Sequence, residues 1–350
     1  MNDRDSEGSI PLSVLDLAPI GSGGTAVEAL KDSRRLARLA DEAGYTRYWF
    51  AEHHGMPSIA SSSPEILIAH AAAATERIRV GSGGMMLQNH VPLKLAESFH
   101  TLEALYPGRI DLGIGRAPGT DPGTSRALRP FGPEQFNQQL AELVGLSAGT
   151  LPVEHPFHSV QVIPSGVTLP PIWLLGSSGA SAELAGSLGL GYAFASHFSP
   201  APAAPATRAY RESFRGGAGR EEPHVILAVS VICAETDEEA DYHASTGDLV
   251  WVRLRRGEFG PLPTPDEARA YPYTAQERAI AESYRRLQYI GRPERLREAI
   301  TEAAREAGAN EVMVSSMIHD PRARRRSYAL LAETFGLPAA SNAWELATPA

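Results

Sequence analysis

The sequence alternates short apolar runs with longer amphipathic stretches, and this alternation limits the folds open to it. Eight runs are rich in β-branched and aromatic residues, and they recur with helical patterns at intervals of about 30 residues. The predicted strands are 12–17, a run that begins at residue 45, 78–87, 110–114, 172–175, 192–195, 225–233 and 312–316. Repeated βα units predict a parallel sheet, and eight of them favour a closed (β/α)8 TIM barrel over a doubly wound sheet.

No shift in composition divides the 350 residues, so the sequence predicts one barrel domain with insertion loops at its carboxyl-terminal rim. Residues 147–171 are a proline-rich insertion. Residues 248–273 combine prolines, glycines and clustered charge without a clean period. Because a long irregular segment in a compact domain is typical of an active-site lid, we expect 248–273 to be a mobile lid. The helix predicted after it spans 274–289.

The composition argues against several classes of protein. The formal net charge is −9, and there is no basic tract beyond residues 322–326, which disfavours nucleic-acid binding. No apolar run reaches the ~18 residues that a membrane span needs, and the chain begins with a polar stretch. Cys233 is the only cysteine, and no zinc-ligand spacing is present. These features predict a cytoplasmic protein without a disulfide, a metal site or a membrane segment.

The second predicted strand ends on Glu52, His53 and His54. In a parallel α/β protein the carboxyl ends of the strands are where active sites form. Side chains alternate between the two faces of a strand, so one ring can face a cleft while its neighbour is held behind it. The alternative is a satisfied polar network that caps the strand.

Glycines interrupt the next two strand ends. Residues 81–84 read Gly-Ser-Gly-Gly, where missing side chains permit the close approach of a flat ligand or form a simple turn. Beyond the fourth strand, Arg116 suits phosphate or carboxylate recognition, or an ion pair with Asp121. Pro118 stands where a dinucleotide-binding fingerprint needs its third glycine, which argues against a Rossmann fold.

Residues 176–180 join the fifth strand to a helix and read Gly-Ser-Ser-Gly-Ala. Two hydroxyls and the free amides of a helix start make an anion cradle, although one serine can also be a plain helix cap. The spacing excludes the Gly-x-Ser-x-Gly elbow of serine hydrolases. Together, the strand ends are typical of a pocket for a phosphorylated planar cofactor rather than of a metal centre.

The sequence resembles the bacterial luciferase-like flavin monooxygenases, most closely the single-chain branch similar to alkanal monooxygenases. The runs that carry the resemblance are 15–19, 51–54, 80–87, 113–116, 175–178 and 195–198. The resemblance implies that reduced FMN binds at the carboxyl-terminal mouth of the barrel. It also implies that the Gly83-Gly84 or Gly84-Met85 peptide, often cis in the family, lies beneath the flavin ring.

The same resemblance implies residue roles. His53 matches the family's catalytic histidine, and Glu52 matches the carboxylate beside it. Luciferase has Glu where Gly176 stands and Thr where Ala180 stands, so these two positions depart from its pattern. The implied cofactor-binding residues are Gly83, Gly84, Met85, Arg116, Gly176, Ser177 and Ser178.

The implied reaction uses reduced FMN and O2 to put one oxygen atom into a small organic substrate, aldehyde-like or natural-product-like. The missing dinucleotide fingerprint favours a two-component system, in which a separate NAD(P)H-flavin reductase supplies the reduced flavin. We also expect a homodimer.

Three other functions compete with this one. Hydride-transfer enzymes that use the deazaflavin F420 have the same barrel fold. The absorbance spectrum of the bound cofactor distinguishes such an enzyme from one that uses FMN. A metal-dependent hydrolase would use Glu52, His53 and His54, with His197 as a further ligand, but adjacent residues of a strand point to opposite sides. A non-catalytic flavin-binding relative would lack the histidine pair, which is present.

Overall fold

A closed parallel barrel forms the centre of the molecule. The structure, a computed structural model, describes residues 10–117, 119–128, 131–217 and 220–339. The strands in those ranges are β1 (Leu12–Asp16), β2 (Arg47–Phe50), β3 (Arg79–Met86), β4 (Ile110–Gly115), β5 (Ile172–Gly176), β6 (Gly191–Ala195), β7 (Val225–Cys233), β8 (Gln288–Gly291) and β9 (Glu311–Ser315). Neighbouring strands pair in the order β6-β5-β4-β3-β2-β1-β9-β7, and β6 pairs with β7. The predicted (β/α)8 barrel is therefore confirmed.

Helices surround this barrel. They are α1 (Ala26–Glu42), α2 (Pro64–Ala72), α3 (Pro92–Leu105), α4 (Pro122–Leu128), α5 (Phe136–Ala148), α6 (Gly179–Ser187), α7 (Ala203–Ser213), α8 (Asp237–Arg255), α9 (Pro265–Ala270), α10 (Ala275–Arg285), α11 (Pro293–Glu306) and α12 (Pro321–Phe335). Their starts are marked in the sequence, for example by the Thr25–Glu28 capping box of α1 and the first-turn proline of α2. Within the described ranges, none of them is long and apolar enough to cross a membrane.

One strand was not predicted. The helix expected over 274–289 ends at Arg285, and Gln288–Gly291 forms β8. β7 is nine residues long, and only its first part lies between β6 and β9. β8 pairs with the remaining part, from Ser230 to Cys233, outside the barrel. The prediction was wrong here because a four-residue strand that extends a neighbour leaves little signal in its own sequence.

The two faces of each barrel strand pack in different layers. On β2, Tyr48 and Phe50 point outward into the large core between the strands and the helices. Trp49 points inward, and its ring meets that of Trp173 edge-on with centroids 5.6 Å apart. The interior is thus filled by Leu15, Trp49, Ala51, Trp173, Ala193, Ile226, Ala228 and Met313.

A buried ion network closes the amino-terminal end of the barrel. Arg47 bonds Glu311 at 2.7 Å and Asp111 at 2.8 Å, and its guanidinium lies 4.7 Å from the centroid of the Trp173 ring. Burial alone would raise the pKa of Glu311, but Arg47 and the hydrogen bonds to the carboxylate lower it to about 2. With this end plugged, the carboxyl-terminal end is the mouth through which a ligand enters.

The two predicted irregular segments differ in place and in structure. Residues 149–171 contain no helix or strand, but they connect the end of α5 to the start of β5. They therefore lie towards the amino-terminal end of the strands, not at the carboxyl-terminal rim as predicted. Residues 248–255 continue α8, and Pro265–Ala270 forms α9, so 248–273 is more regular than expected.

The stretch between α8 and α9 does reach the rim. The amide of Leu262 donates to the carbonyl of Ile20, and the amide of Ser22 donates to the carbonyl of Leu262, both at 2.8 Å. Residues 256–264, here called the strap, are thereby joined to the loop between β1 and α1. The predicted mobility of this segment stays a prediction.

Candidate active site

Glu52 lies just beyond β2, and its side chain is fully buried. Its carboxylate accepts hydrogen bonds from the amide of Met86 at 2.9 Å and the side chain of Asn89 at 3.2 Å. It also accepts from the Nε2 atoms of His54 at 2.8 Å and His90 at 2.9 Å. Burial alone would raise the pKa of Glu52, but the bonds from the two imidazoles lower it to about 2. Glu52 is therefore an ionised anchor that ties β2 to the end of β3.

The strand's alternation separates the two adjacent histidines. His54 lies on the outer face with Glu52, to which it is bonded. His53 follows the inward residues Trp49 and Ala51, so it faces the mouth of the barrel. This division is the one that the sequence predicted.

His53 is held by its main chain, while its ring keeps a free nitrogen. Its amide donates to the carbonyl of Ser61 at 2.9 Å. Its Nδ1 is buried without a hydrogen-bond partner among the described residues. Burial lowers the pKa of His53, so the ring is neutral at neutral pH. A neutral imidazole with an open nitrogen can bind a ligand atom or move a proton.

A second histidine at the mouth was not predicted as a site residue. His197 follows β6, and the charge of His53 contributes to lowering its pKa, so the two rings lie near each other. Burial lowers its pKa to about 4, and its Nδ1 also has no partner in the described part of the chain. The sequence signal was available: His197 lies two residues after Ala195, at the tip of a strand whose Ala193 faces inward.

The glycines of β3 are required first by the barrel itself. The Gly83-Gly84 peptide is cis, in agreement with what the family resemblance implied. A Cβ at Gly84 would lie 2.8 Å from the carbonyl oxygen of Gly113 on β4, and one at Gly83 would lie 2.7 Å from Leu15. The side chain of Met85 belongs to the outer core, so of this residue only the main chain is available to a cofactor.

The predicted anion cradle lies at the start of α6. Ser178 is its N-cap residue, yet its side chain makes no capping bond to the helix, and Ser177 is half-buried beside it. A Cβ at Gly176 would overlap the Ser181 hydroxyl, so this position has no room for a side chain such as luciferase's Glu. The Ser178 hydroxyl lies 3.4 Å from that of Ser181, and the Ser177 hydroxyl and the amides of the first helical turn remain available to an anion.

Arg116 lies beside this cradle. Ile114 pairs with Leu174, and continuing that register by two residues sets Arg116 next to Gly176. Arg116 and Ala180 line one open cleft of about 670 Å³. Arg116 is exposed, with no hydrogen bond or ion pair to any residue that the structure describes. Asp121 instead caps α4, so the alternative Arg116–Asp121 pair does not form. Pro118 lies outside the described residues.

Comparison with known proteins places this chain in one family. The model of the luciferase-like monooxygenases matches residues 10–311, and the chain belongs to that family. It is 42% identical to the luciferase-like monooxygenase of Escherichia coli K12, over 92% of this chain and 96% of that protein. It is 34% identical to the N-acetyl-S-alkylcysteine monooxygenase of Bacillus subtilis, over 93% and 98%. The crystal structure of apo-MsnO8 has 43% identity and a TM-score of 0.86, over 94% and 99%.

Proposed function

We propose that this protein is a flavin-dependent monooxygenase that uses reduced FMN and O2 to oxidise a small organic substrate. A separate NAD(P)H-flavin reductase would supply the reduced flavin, and the protein would act as a cytoplasmic homodimer. The observation that carries the proposal is the inward-facing His53, with its unpartnered buried Nδ1, at a mouth that also has a separate anion cradle. The names of the relatives support oxygenation as the reaction.

The residues at the mouth fit FMN by their chemistry. An unpaired guanidinium and two serine hydroxyls at a helix start suit a phosphate dianion, and Arg116, Ser177 and Ser178 would hold it. By the family resemblance, the main chain at Gly83, Gly84 and Gly176 would contact the cofactor, with the Gly83-Gly84 peptide beneath its flat ring system. Separate sites for an anion and for a ring match a phosphorylated planar cofactor.

The protein's own part in the chemistry centres on His53. FMN, when bound in its reduced form, supplies the electrons that activate O2. His53 Nδ1 would hold or deliver a proton at the reacting oxygen, as a positioned imidazole can. Glu52 acts through position: its four hydrogen bonds keep the tip of β2, and therefore the His53 ring, in place.

Substrate-dependent oxygen consumption tests this function. The purified protein is supplied with FMN and a generic flavin reductase and offered aldehydes, sulfonates, polyketides and N-acetylated S-alkylcysteines. The N-acetylated S-alkylcysteines are included because of the relative named for them. We expect one oxygen atom from ¹⁸O2 in the product of at least one class. Retention of F420 instead of FMN, with hydride transfer and no oxygen use, would favour the deazaflavin alternative.

A further inference from the structure

Two imidazoles from opposite sides of the barrel converge at its mouth. His53 lies beyond β2, two residues after Ala51, and His197 lies in the turn beyond β6, two residues after Ala195. Ala51 and Ala193 are both part of the barrel interior, and the charge of His53 acts on His197, so the two rings lie near each other at the mouth. These two strands are not neighbours in the sheet, which means that the pair is created only by closure of the barrel.

The surroundings of the His197 ring favour one tautomer. The main-chain oxygen of Ala228 on β7 raises the pKa of the ring, although burial, the larger effect, lowers it. Nδ1 has no partner in the described part of the molecule, so the N–H that turns towards the Ala228 oxygen is the one on Nε2. In that neutral tautomer Nδ1 carries a lone pair and accepts hydrogen bonds. Phe198 meets the ring edge-on with centroids 4.7 Å apart, which limits its rotation.

A buried polar atom without a partner is uncommon, because leaving it unpaired costs about 1–3 kcal/mol. His53 and His197 both have such an atom, and both are at the mouth of the same barrel. His53 is the titratable side chain that acts on His197, and Glu52 and His54 act on His53. With its pKa lowered by burial to about 4, His197 remains an acceptor at neutral pH.

We propose that His197 is a second catalytic residue, whose Nδ1 accepts a hydrogen bond from the organic substrate and so selects substrates with an N–H or O–H group near the oxidised atom. This assignment rests on the proposed function. The two histidines then have separate roles at the mouth: His53 acts on the reacting oxygen, and His197 orients the substrate. The substrate class is then a small molecule with a donor such as an amide N–H or an alcohol, rather than a bare hydrocarbon chain or a simple sulfide.

Two substitutions of His197 separate its two nitrogens. In His197→Gln the amide N–H lies near the position of Nε2, so a donor still faces the Ala228 oxygen while the Nδ1 acceptor is lost. In His197→Asn the amide oxygen lies near the position of Nδ1. We expect His197→Gln to lose kcat/KM by about 5- to 150-fold, mainly through KM, because the donor of the substrate is left unpaired. His197→Asn should recover part of that loss. FMN affinity should be unchanged in both.

Once oxygen consumption has identified a substrate, a change in that substrate complements the changes in His197. Methylation of its N–H or O–H should lower kcat/KM of the wild-type protein by a similar factor, and His197→Gln should then cause little further loss. His243→Gln is the control, because His243 is also a histidine with an unpartnered buried Nδ1 but lies on α8. Full activity of His197→Gln, or equal use of substrates without any N–H or O–H donor, would overturn the proposal.

A measurement without turnover keeps this proposal separate from the proposed function. Nitrogen-15 NMR of histidine side chains reports which ring nitrogen is protonated. We expect Nε2–H and a bare Nδ1 for His197 at pH 7, and a higher pKa for His197 when His53 is replaced by Gln. A proton on Nδ1 would overturn the proposal even in an active enzyme. Failure of every substrate to stimulate oxygen use would instead refute the monooxygenase function.

Discussion

At the scale of single residues, adjacent side chains of one strand tip have opposite roles. Glu52 and His54 are bonded to each other on the outer face, and His53 faces the mouth with a free nitrogen. His53→Ala should therefore bind FMN nearly as the wild type does but lose turnover by about 10²–10⁴-fold, the usual contribution of a positioned acid or base. Stopped-flow oxidation kinetics with the identified substrate, together with FMN titration, measure the two effects.

His54→Ala is the matched comparison. Because it removes a hydrogen bond to a buried carboxylate, it should lower the free energy of unfolding by about 1.5–3 kcal/mol in urea titrations. Its turnover at temperatures where it is folded should change far less than that of His53→Ala. The opposite pattern, with His54→Ala inactive and His53→Ala unaffected, would contradict the inward placement of His53.

The pKa of Glu52 predicts a pH dependence of stability. Its folded-state pKa of about 2 lies below its ordinary value of 4.5, so its contribution is present above pH 4.5 and is lost as the pH falls towards 2. Glu52→Gln should destabilise the protein at pH 7 and reduce the loss of stability between pH 5 and pH 3. Thermal unfolding across this range measures it. Glu238→Gln, an exposed carboxylate on α8, should leave the profile unchanged.

At the scale of elements, β3 and β4 approach too closely for side chains at several positions. Gly84→Ala should lower the free energy of unfolding by about 1–3 kcal/mol, because its Cβ would lie 2.8 Å from the Gly113 carbonyl oxygen. Chemical denaturation measures this effect. Gly260→Ala is the control, since nothing lies within 4 Å of a Cβ there. Equal stability of the two variants would show that β4 can move away at no cost.

The start of α6 and the end of β4 form the proposed phosphate site. Arg116→Ala should weaken FMN binding by about 1.5–3 kcal/mol, the range for a hydrogen bond to a charged group. Riboflavin, which has no phosphate, should bind the wild type and Arg116→Ala equally. Fluorescence titration of both flavins measures this, with the exposed Arg34→Ala on α1 as the control. If the wild type binds FMN and riboflavin with the same affinity, the phosphate assignment is wrong.

At the scale of the whole molecule, the strap joins the segment between α8 and α9 to the loop between β1 and α1. Leu262 is 1% exposed, and its main chain is bonded to both Ile20 and Ser22. Leu262→Asp should open this connection, admit water to the mouth and raise the fraction of consumed O2 that is released as hydrogen peroxide. Peroxide yield per O2 consumed measures it, and Glu258→Ala in the same strap is the control. If the peroxide yield of Leu262→Asp equals that of the wild type, the strap does not protect the mouth from water and is only a structural connection.

Local patterns in the sequence determined the repeating units. The period of each apolar run predicted the eight barrel strands, alternation predicted that only one of His53 and His54 faces inward, and the family resemblance selected His53. The cis peptide at Gly83-Gly84 followed from the family resemblance. These predictions succeeded because a strand's two faces and a helix's capping residues are properties of consecutive residues.

Only the tertiary structure decided which distant residues meet. Closure of the barrel brings His197 to His53, the pairing of β2 with β3 brings Met86 and His90 to the carboxylate of Glu52, and β8 pairs with the free part of β7. It also showed that 149–171 lies away from the mouth and that the neighbouring strands leave no room for side chains at the glycines of β3. Contacts between residues far apart in the chain leave no periodic signal, because they depend on how whole strands are placed in the closed sheet. The sequence alone therefore identified the strands and the family, and the fold decided how the site is assembled.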